Sequence, residues 1–152
     1  MLAIKELKKT YGVPPLEEKK ALTGINLEFS PGELVGLFGE NGAGKTTLLK
    51  CILNLLKFDG EITLDGEPIT RKNIGRLSFA TCEHSFFPNL SPAGHRDFCR
   101  EHFPRWREKR FQALMEFFDL PMDRIPRKFS TGQKNQFEVI LSLCQGVDYI
   151  LM

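Results

Sequence analysis

Apolar and polar residues along this chain change period several times, and each change marks an element. From Leu2 to Lys9 apolar and charged residues partly alternate, and Ile25-Asn26-Leu27-Glu28-Phe29 alternates cleanly, the two-residue period of half-exposed strands. Val13-Pro14-Pro15 and the polar run Glu17 to Lys20 read as the connection between them. Pro31-Gly32 marks a turn. Leu34-Val35-Gly36-Leu37-Phe38 is then a nearly unbroken apolar run, as expected of a buried strand in a parallel sheet. Leu48, Leu49, Ile52, Leu53 and Leu56 recur at helical spacing. Asp59-Gly60 closes that region, Glu61 to Asp65 reads as a strand ended by a turn at Gly66, and Arg76 to Thr81 as another strand.

Pro88-Asn89 breaks the pattern, and Ser91-Pro92 has the form of an N-cap followed by proline at the first helical position. Phe111, Leu114, Met115 and Phe118 lie at i, i+3, i+4 and i+7, an amphipathic helix that Pro121 should stop. Ser130 and Gln133 have capping-box spacing at the head of a second stripe, Phe137, Ile140, Leu141 and Cys144, and Gly146 suits the left-handed position after its end. Val147 to Met152 begins a further buried strand. Strands and helices in this order predict an α/β fold.

Bulk composition narrows the classes. A chain of 152 residues with 41% apolar and 26% charged residues suits one soluble globular domain. Its formal net charge of +2 gives no argument for nucleic acid or acidic lipid as a partner. The charge-rich run Arg96 to Arg110 is open to two readings, a solvated helical face or an interaction patch. No stretch approaches the ~20 apolar residues that span a bilayer, and the first residues lack the apolar core of a signal peptide. Cys51, Cys82, Cys99 and Cys144 have no CxxC pairing, and His84, His95 and His102 do not complete a metal set, so reduced thiols are expected.

The chemistry lies in the glycines. Gly39-Glu40-Asn41-Gly42-Ala43-Gly44-Lys45-Thr46 matches GxxxxGK[ST] in full, between an expected strand and an expected helix. Glycines let successive backbone N–H groups turn inward as a nest for phosphate oxygens, and the helix adds its unpaired donors and dipole. Lys45 is expected to reach the β- and γ-phosphates, Thr46 to coordinate Mg²⁺, and Thr47 to donate near the α-phosphate.

Order along the chain then suggests a family. Tyr11-Gly12 lies upstream, and Phe129-Ser130-Thr131-Gly132-Gln133 opens a helix about 85 residues after Lys45, followed by an apolar run. This arrangement resembles the ATP-binding cassette (ABC) transporter ATPases, with an aromatic A-loop, Walker A, Q-loop, helical subdomain, LSGGQ-type signature and Walker B strand. The stretch from Phe103 to Leu120 is similar to cassettes that serve ABC-2-type exporters.

The resemblance implies a P-loop NTPase fold: an antiparallel β part plus a parallel core sheet with an α-helical subdomain. Its segments would be 1–87, 88–128 and 129–152. It implies ATP and Mg²⁺ as ligands, held by Tyr11, Gly39, Asn41, Gly42, Ala43, Gly44, Lys45, Thr46 and Thr47. Tyr11 would stack on adenine; packing at a strand end is its other reading. Ser130, Gly132 and Gln133 would meet the nucleotide of a second cassette, a role compatible with helix capping, while Thr131 replaces the usual first glycine. Glu83 or Cys82 would stand at the Q-loop position, Glu83 with a possible metal role. An integral-membrane transporter subunit would be the partner, placing the protein on the cytoplasmic face.

The family's Walker B aspartate, catalytic glutamate and switch histidine have no counterparts in the 152 residues. The catalytic set is therefore incomplete. The resemblance implies a cassette truncated at its Walker B strand, and a short protein that binds nucleotide without hydrolysing it is the other reading. A soluble ABC protein acting outside transport is a third.

Overall fold

The computed structural model describes residues 1–12, 17–81 and 84–152. The Val13-Pro14-Pro15 connection and the Cys82 and Glu83 positions lie outside the described residues. The chain divides into two compact units, Met1–Ile74 and Gly75–Met152.

The first unit is built on an antiparallel sheet of four strands, β1 (Leu2–Tyr11), β2 (Lys19–Phe29), β3 (Asp59–Leu64) and β4 (Glu67–Pro68), in the order β2-β1-β3-β4. The partial alternation of β1 has a local cause. Its register slips between Ile4 and Leu7 against β2, with Glu6 at φ 48°, so an extra residue is accommodated and Leu2, Ile4 and Leu7 are all buried. Asn26 staples this bulge, donating to Glu6 Oε1 at 2.7 Å and accepting from the Glu6 amide at 2.9 Å. Helix α1 (Lys45–Ile52) contributes Leu48, Cys51 and Ile52 to the buried set. The expected turn at Asp65-Gly66 closes β3 with both residues at positive φ.

The apolar run 34–38 is not the buried strand its composition predicts. Leu34 is 102% and Phe38 91% exposed, and no ladder includes the segment. Every strand pairing in this unit is antiparallel and engages other residues, so the run lacks the parallel neighbours that would satisfy its amides and cover its faces.

In the second unit α2 (Pro92–His102), α3 (Glu108–Phe117) and α4 (Thr131–Cys144) surround a core of Phe111, Met115, Phe129, Phe137, Ile140 and Cys144. The Ser91 hydroxyl caps α2 by accepting from the Gly94 amide at 3.1 Å. Helix α3 stops before Pro121: it ends at Phe117 with Phe118 as its C-cap, and Asp119 turns left-handed at φ 51°. Gly146 is left-handed as expected, and a Cβ there would lie 2.1 Å from the Arg105 carbonyl oxygen. The last carbonyls of α4 receive the Arg107 amide at 2.8 Å and Arg110 Nη1 at 3.2 Å. The short strands β5 (Leu77–Phe79) and β6 (Tyr149–Leu151) pair in parallel. Residues of β6 are half-buried instead of buried, since β5 is their one hydrogen-bonded neighbour among the described residues, and Met152 is exposed.

Much of the charge between Arg96 and Arg110 is neutralised locally. Asp97 pairs with Arg96 at 2.9 Å and Arg100 at 3.2 Å, and Arg105 reaches Asp148 at 2.7 Å. Asp148 also accepts from Arg76, and these two guanidinium groups hold its carboxyl below the usual range.

His95, 2% exposed, sits among Phe86, Phe87 and Phe137. Its Nε2 accepts the Phe87 amide at 3.0 Å, and its Nδ1 lies 2.9 Å from the Ser91 carbonyl, which can only accept. The ring is therefore the neutral tautomer with the proton on Nδ1.

Two outcomes are expected. Replacing Leu34 and Phe38 by serine should lower binding of a dye for apolar surface and reduce self-association. The melting free energy should change by only about 0.5 kcal/mol, because exposed side chains away from packed features contribute little. Burial pushes the His95 imidazole below its ordinary pKa, against weaker opposing effects of the Ser91 and Leu90 backbone and the Glu138 charge. An unfolded histidine gains its proton near pH ~6.5, before the folded one does, so the unfolded state binds more protons as pH falls from there to the folded value. Melting temperature should thus fall between about pH 7.5 and pH 5.5, and fall less in His95→Gln.

Candidate functional site

Helix α1 begins differently from α2 and α4. Its N-cap is Gly44, left-handed at φ 94°, with no side-chain cap and no acidic residue in the first turn. The first N–H groups of any helix lack intrahelical acceptors, so those of α1 remain available to an anion. Close approach explains the glycine. A Cβ on Gly44 would stand 2.6 Å from the Ala21 carbonyl oxygen of β2.

Lys45 turns back over the loop it follows. Its ammonium donates to the Gly39 carbonyl at 2.6 Å and the Glu40 carbonyl at 2.8 Å, using two of three donors. Ala43 N–H donates to the Glu40 carbonyl at 3.2 Å, closing the loop on itself. Thr47 Oγ1 lies 3.2 Å from the Tyr11 hydroxyl, so α1 and the end of β1 meet at this point. The Lys9 ammonium stands 5.2 Å from the centre of the Tyr11 ring.

These groups bound a cavity of about 290 Å³. Asn41, Gly42, Gly44, Lys45, Thr46 and Thr47 line it from the loop and helix, and Tyr11, Lys19 and Ala21 from the sheet. Gly39 and Ala43 shape the loop through the bonds above and do not line the cavity. With Lys19 and Lys45 among its walls and no acidic side chain among the described lining residues, the cavity favours an anionic ligand. Sequence reasoning missed Lys19 and Ala21. The register explains why: Tyr11 pairs with Lys19 across β1 and β2, a nearness that only the strand pairing reveals.

The other candidate residues lie in the second unit. Ser130 Oγ accepts the Gln133 amide at 3.2 Å, and Gln133 Oε1 accepts the Ser130 amide at 3.0 Å, a complete capping box at the head of α4. Thr131 and Gly132 are exposed beside it. Thiol chemistry finds no support: Cys51, Cys99 and Cys144 are buried and free, and burial pushes the Cys99 thiol up to about 11 and Cys144 to about 12.

Residues 22–152 match the family model described as ABC transporter. Among curated relatives, the chain is 27% identical to the ABC transporter ATP-binding protein YtrB of Bacillus subtilis, over 100% of this chain and 51% of that protein. It is 32% identical to the sulfate/thiosulfate import ATP-binding protein CysA of Methylococcus capsulatus, over 99% of this chain and 45% of that one. It is 53% identical to the ribose import ATP-binding protein RbsA of a Jannaschia species, over 85% and 28% respectively. The chain thus spans about half or less of the length of these relatives. Two of the names speak of import, and none of these matches bears on the exporter-type resemblance expected for 103–120.

Solved structures agree on the fold. An ATP-binding subunit of an ABC transporter superposes with a TM-score of 0.83 at 22% identity, covering 99% of this chain and 65% of that one. The dimeric cassette MJ0796, bound to ADP and phosphate after hydrolysis, gives 0.81 at 22% identity, over 99% and 72%. The fold is that of the P-loop cassettes, as the family resemblance implied, although the strand expected at 34–38 is not formed. With a family model spanning most of its length, the chain belongs to the ABC transporter family of ATP-binding cassettes.

Proposed function

We propose that this chain is the nucleotide-binding part of an ATP-binding subunit of an ABC transporter, and that Mg-ATP enters the cavity at the head of α1. The observation that carries the reading is a complete Gly39 to Thr46 motif whose helix starts with no acceptor of its own, beside a cavity lined by Lys19 and Lys45. Phosphate oxygens supply the acceptors that α1 lacks. Lys45 exchanges its carbonyl partners for the β- and γ-phosphates, Asn41, Gly42 and Gly44 offer backbone donors to them, and Ala43 does so once its amide leaves the Glu40 carbonyl. Thr46 is the residue that fits Mg²⁺, and the metal supplies charge neutralisation to the phosphates when bound. Tyr11, 40% exposed and tied to Thr47, offers an aromatic face to adenine.

Ser130, Gly132 and Gln133 are assigned to the nucleotide of a second cassette, because the head of a capped helix still presents outward amides to an anion. The segments 1–87, 88–128 and 129–152 then serve as nucleotide core, helical subdomain and signature helix. Exposed Phe98, Phe117 and Phe118 support contact of the helical part with an integral-membrane subunit. Among the described residues no helix is long and apolar enough to cross a membrane, so attachment at the cytoplasmic face would run through that partner.

Lys45→Ala should weaken ATP binding by roughly 1.5–3 kcal/mol, about ten- to 150-fold, since a charged hydrogen-bonding group is lost. Titration calorimetry on folded protein checks this, and equal affinity in the variant would remove Lys45 from the site.

The 152 residues alone should bind ATP but release phosphate slowly. Loss of a positioned general base costs about 10²–10⁴-fold, and the family carboxylates for metal and water have no counterpart in this sequence. Phosphate release by purified chain, with Lys45→Ala as contamination control, is the measurement. Turnover of about one per second, ordinary for such enzymes and abolished in the control, would show that the chain carries its own catalytic carboxylate, with Glu83 first to be mutated.

A further inference from the structure

Glu138 is an acid where a helix stripe calls for an apolar residue. It follows Phe137 on α4, is 3% exposed, and stands among buried neighbours Phe137, Ile140, Leu141 and Ser142. A carboxylate at such a position is costly unless its oxygens are satisfied. Among the described residues no cation pairs with it. Its hydrogen bonds come from one residue, Ser85: the Ser85 amide donates to both oxygens, at 3.1 Å each, and the Ser85 hydroxyl donates to Oε1.

Two residues on, the same segment is held again. Phe87 donates its amide to Nε2 of neutral His95 on α2. Phe86, between the two anchored residues, packs edge-on against Phe137 at 5.5 Å and His95 at 6.2 Å. The Ser85 and Phe87 amides therefore end on two buried side chains from two helices, and not in a strand or helix ladder.

We propose that Glu138 is a positioning residue that clamps segment 85–87 to α4, with His95 as the second point of the clamp. Helix α4 is a rigid rod headed by Ser130, and Glu138 lies eight residues along it, about 12 Å at 1.5 Å per residue. Segment 85–87 therefore follows any displacement of the helix head. The functional meaning of this linkage rests on the assignment of Ser130, Gly132 and Gln133 to a partner nucleotide. Under that assignment, engagement of the helix head is felt at 85–87, where Phe86 packs against Phe137, without a change in α4 itself. The clamp is a local interaction with its own readout, independent of nucleotide.

The test is residue-resolved amide exchange by NMR on the whole 152-residue chain without nucleotide, in wild type, Glu138→Gln, Glu138→Ala and Ser85→Ala. In Glu138→Ala the Ser85 amide should exchange roughly ten- to hundredfold faster, as the loss of a charge-assisted hydrogen bond implies. The Phe87 amide should lose protection in the same direction, while amides 134–144 keep theirs. Glu138→Gln retains one acceptor oxygen and should restore part of the Ser85 protection. Ser85→Ala removes only the hydroxyl bond and should leave the Ser85-position amide partly protected.

Unchanged exchange at 85 and 87 in Glu138→Ala would overturn the proposal, as would a loss spread evenly along α4, the mark of a purely structural role. If Glu138→Ala does not fold, the other two variants decide: wild-type exchange at 85 and 87 in both overturns the clamp, and graded local loss upholds it. ATP affinity of Lys45→Ala is read separately, so failure of the clamp and failure of the nucleotide reading cannot be confused.

Discussion

A helix that starts without an acceptor for its own amides is the constraint from which the proposed nucleotide site follows. Helices α2 and α4 close their first turns internally through Ser91 and Ser130. At α1 the corresponding residue is Gly44, which has no side chain to give and no space for one against Ala21. Unpaired helix donors are tolerated where water or a ligand can reach them, and the α1 head opens on a cavity. The glycines, the lysine and the exposure of the loop are thus parts of one arrangement. A serine at 44 could not simply repair the helix start, because its Cβ would meet backbone and force β2 aside.

Buried polar groups of the second unit follow the opposite rule. His95 and Glu138 are fully committed: each ring nitrogen and each carboxylate oxygen has a partner, and the partners are backbone and hydroxyl groups of Ser85, Phe87 and Ser91. Satisfied polar groups in a low-dielectric core specify one arrangement of the segments they join. The cost of burying them is offset only when those segments are in place. Segment 85–87, lacking a ladder of its own, gains its path from this requirement.

Periodicity made much of the fold legible and failed where tertiary contacts decide. The helical stripe at Phe111 to Phe118 and the capping box at Ser130 are local, and both are present. The bulge in β1 was visible only as imperfect alternation, because the Asn26 staple that stabilises it is twenty residues away. Leu34 to Phe38 reads as a buried strand from composition, yet a strand is defined by neighbours, and no described segment pairs with it. Within the site the glycine motif was readable in full, whereas Lys19 required knowing the β1–β2 register. Glu138 gave a signal of another kind, a charge in an apolar stripe, but its partner Ser85 lies 53 residues away.

The 34–38 segment also bears on the loop it leads into. Gly39 and Glu40 take their restraint from the Lys45 ammonium, which bridges both carbonyls, and not from a preceding ladder. A ligand that draws Lys45 toward phosphate removes those two bonds and must compensate with its own contacts to loop amides. Part of the intrinsic binding energy is then spent ordering the loop, and apparent affinity is the intrinsic affinity multiplied by the fraction of chains already in the competent geometry. Any neighbour that paired with 34–38 would restrain the loop from its other end and lessen that cost. On the proposed reading, covering this apolar run would raise nucleotide affinity, and by reciprocity bound nucleotide would favour an extended, pairable form of 34–38.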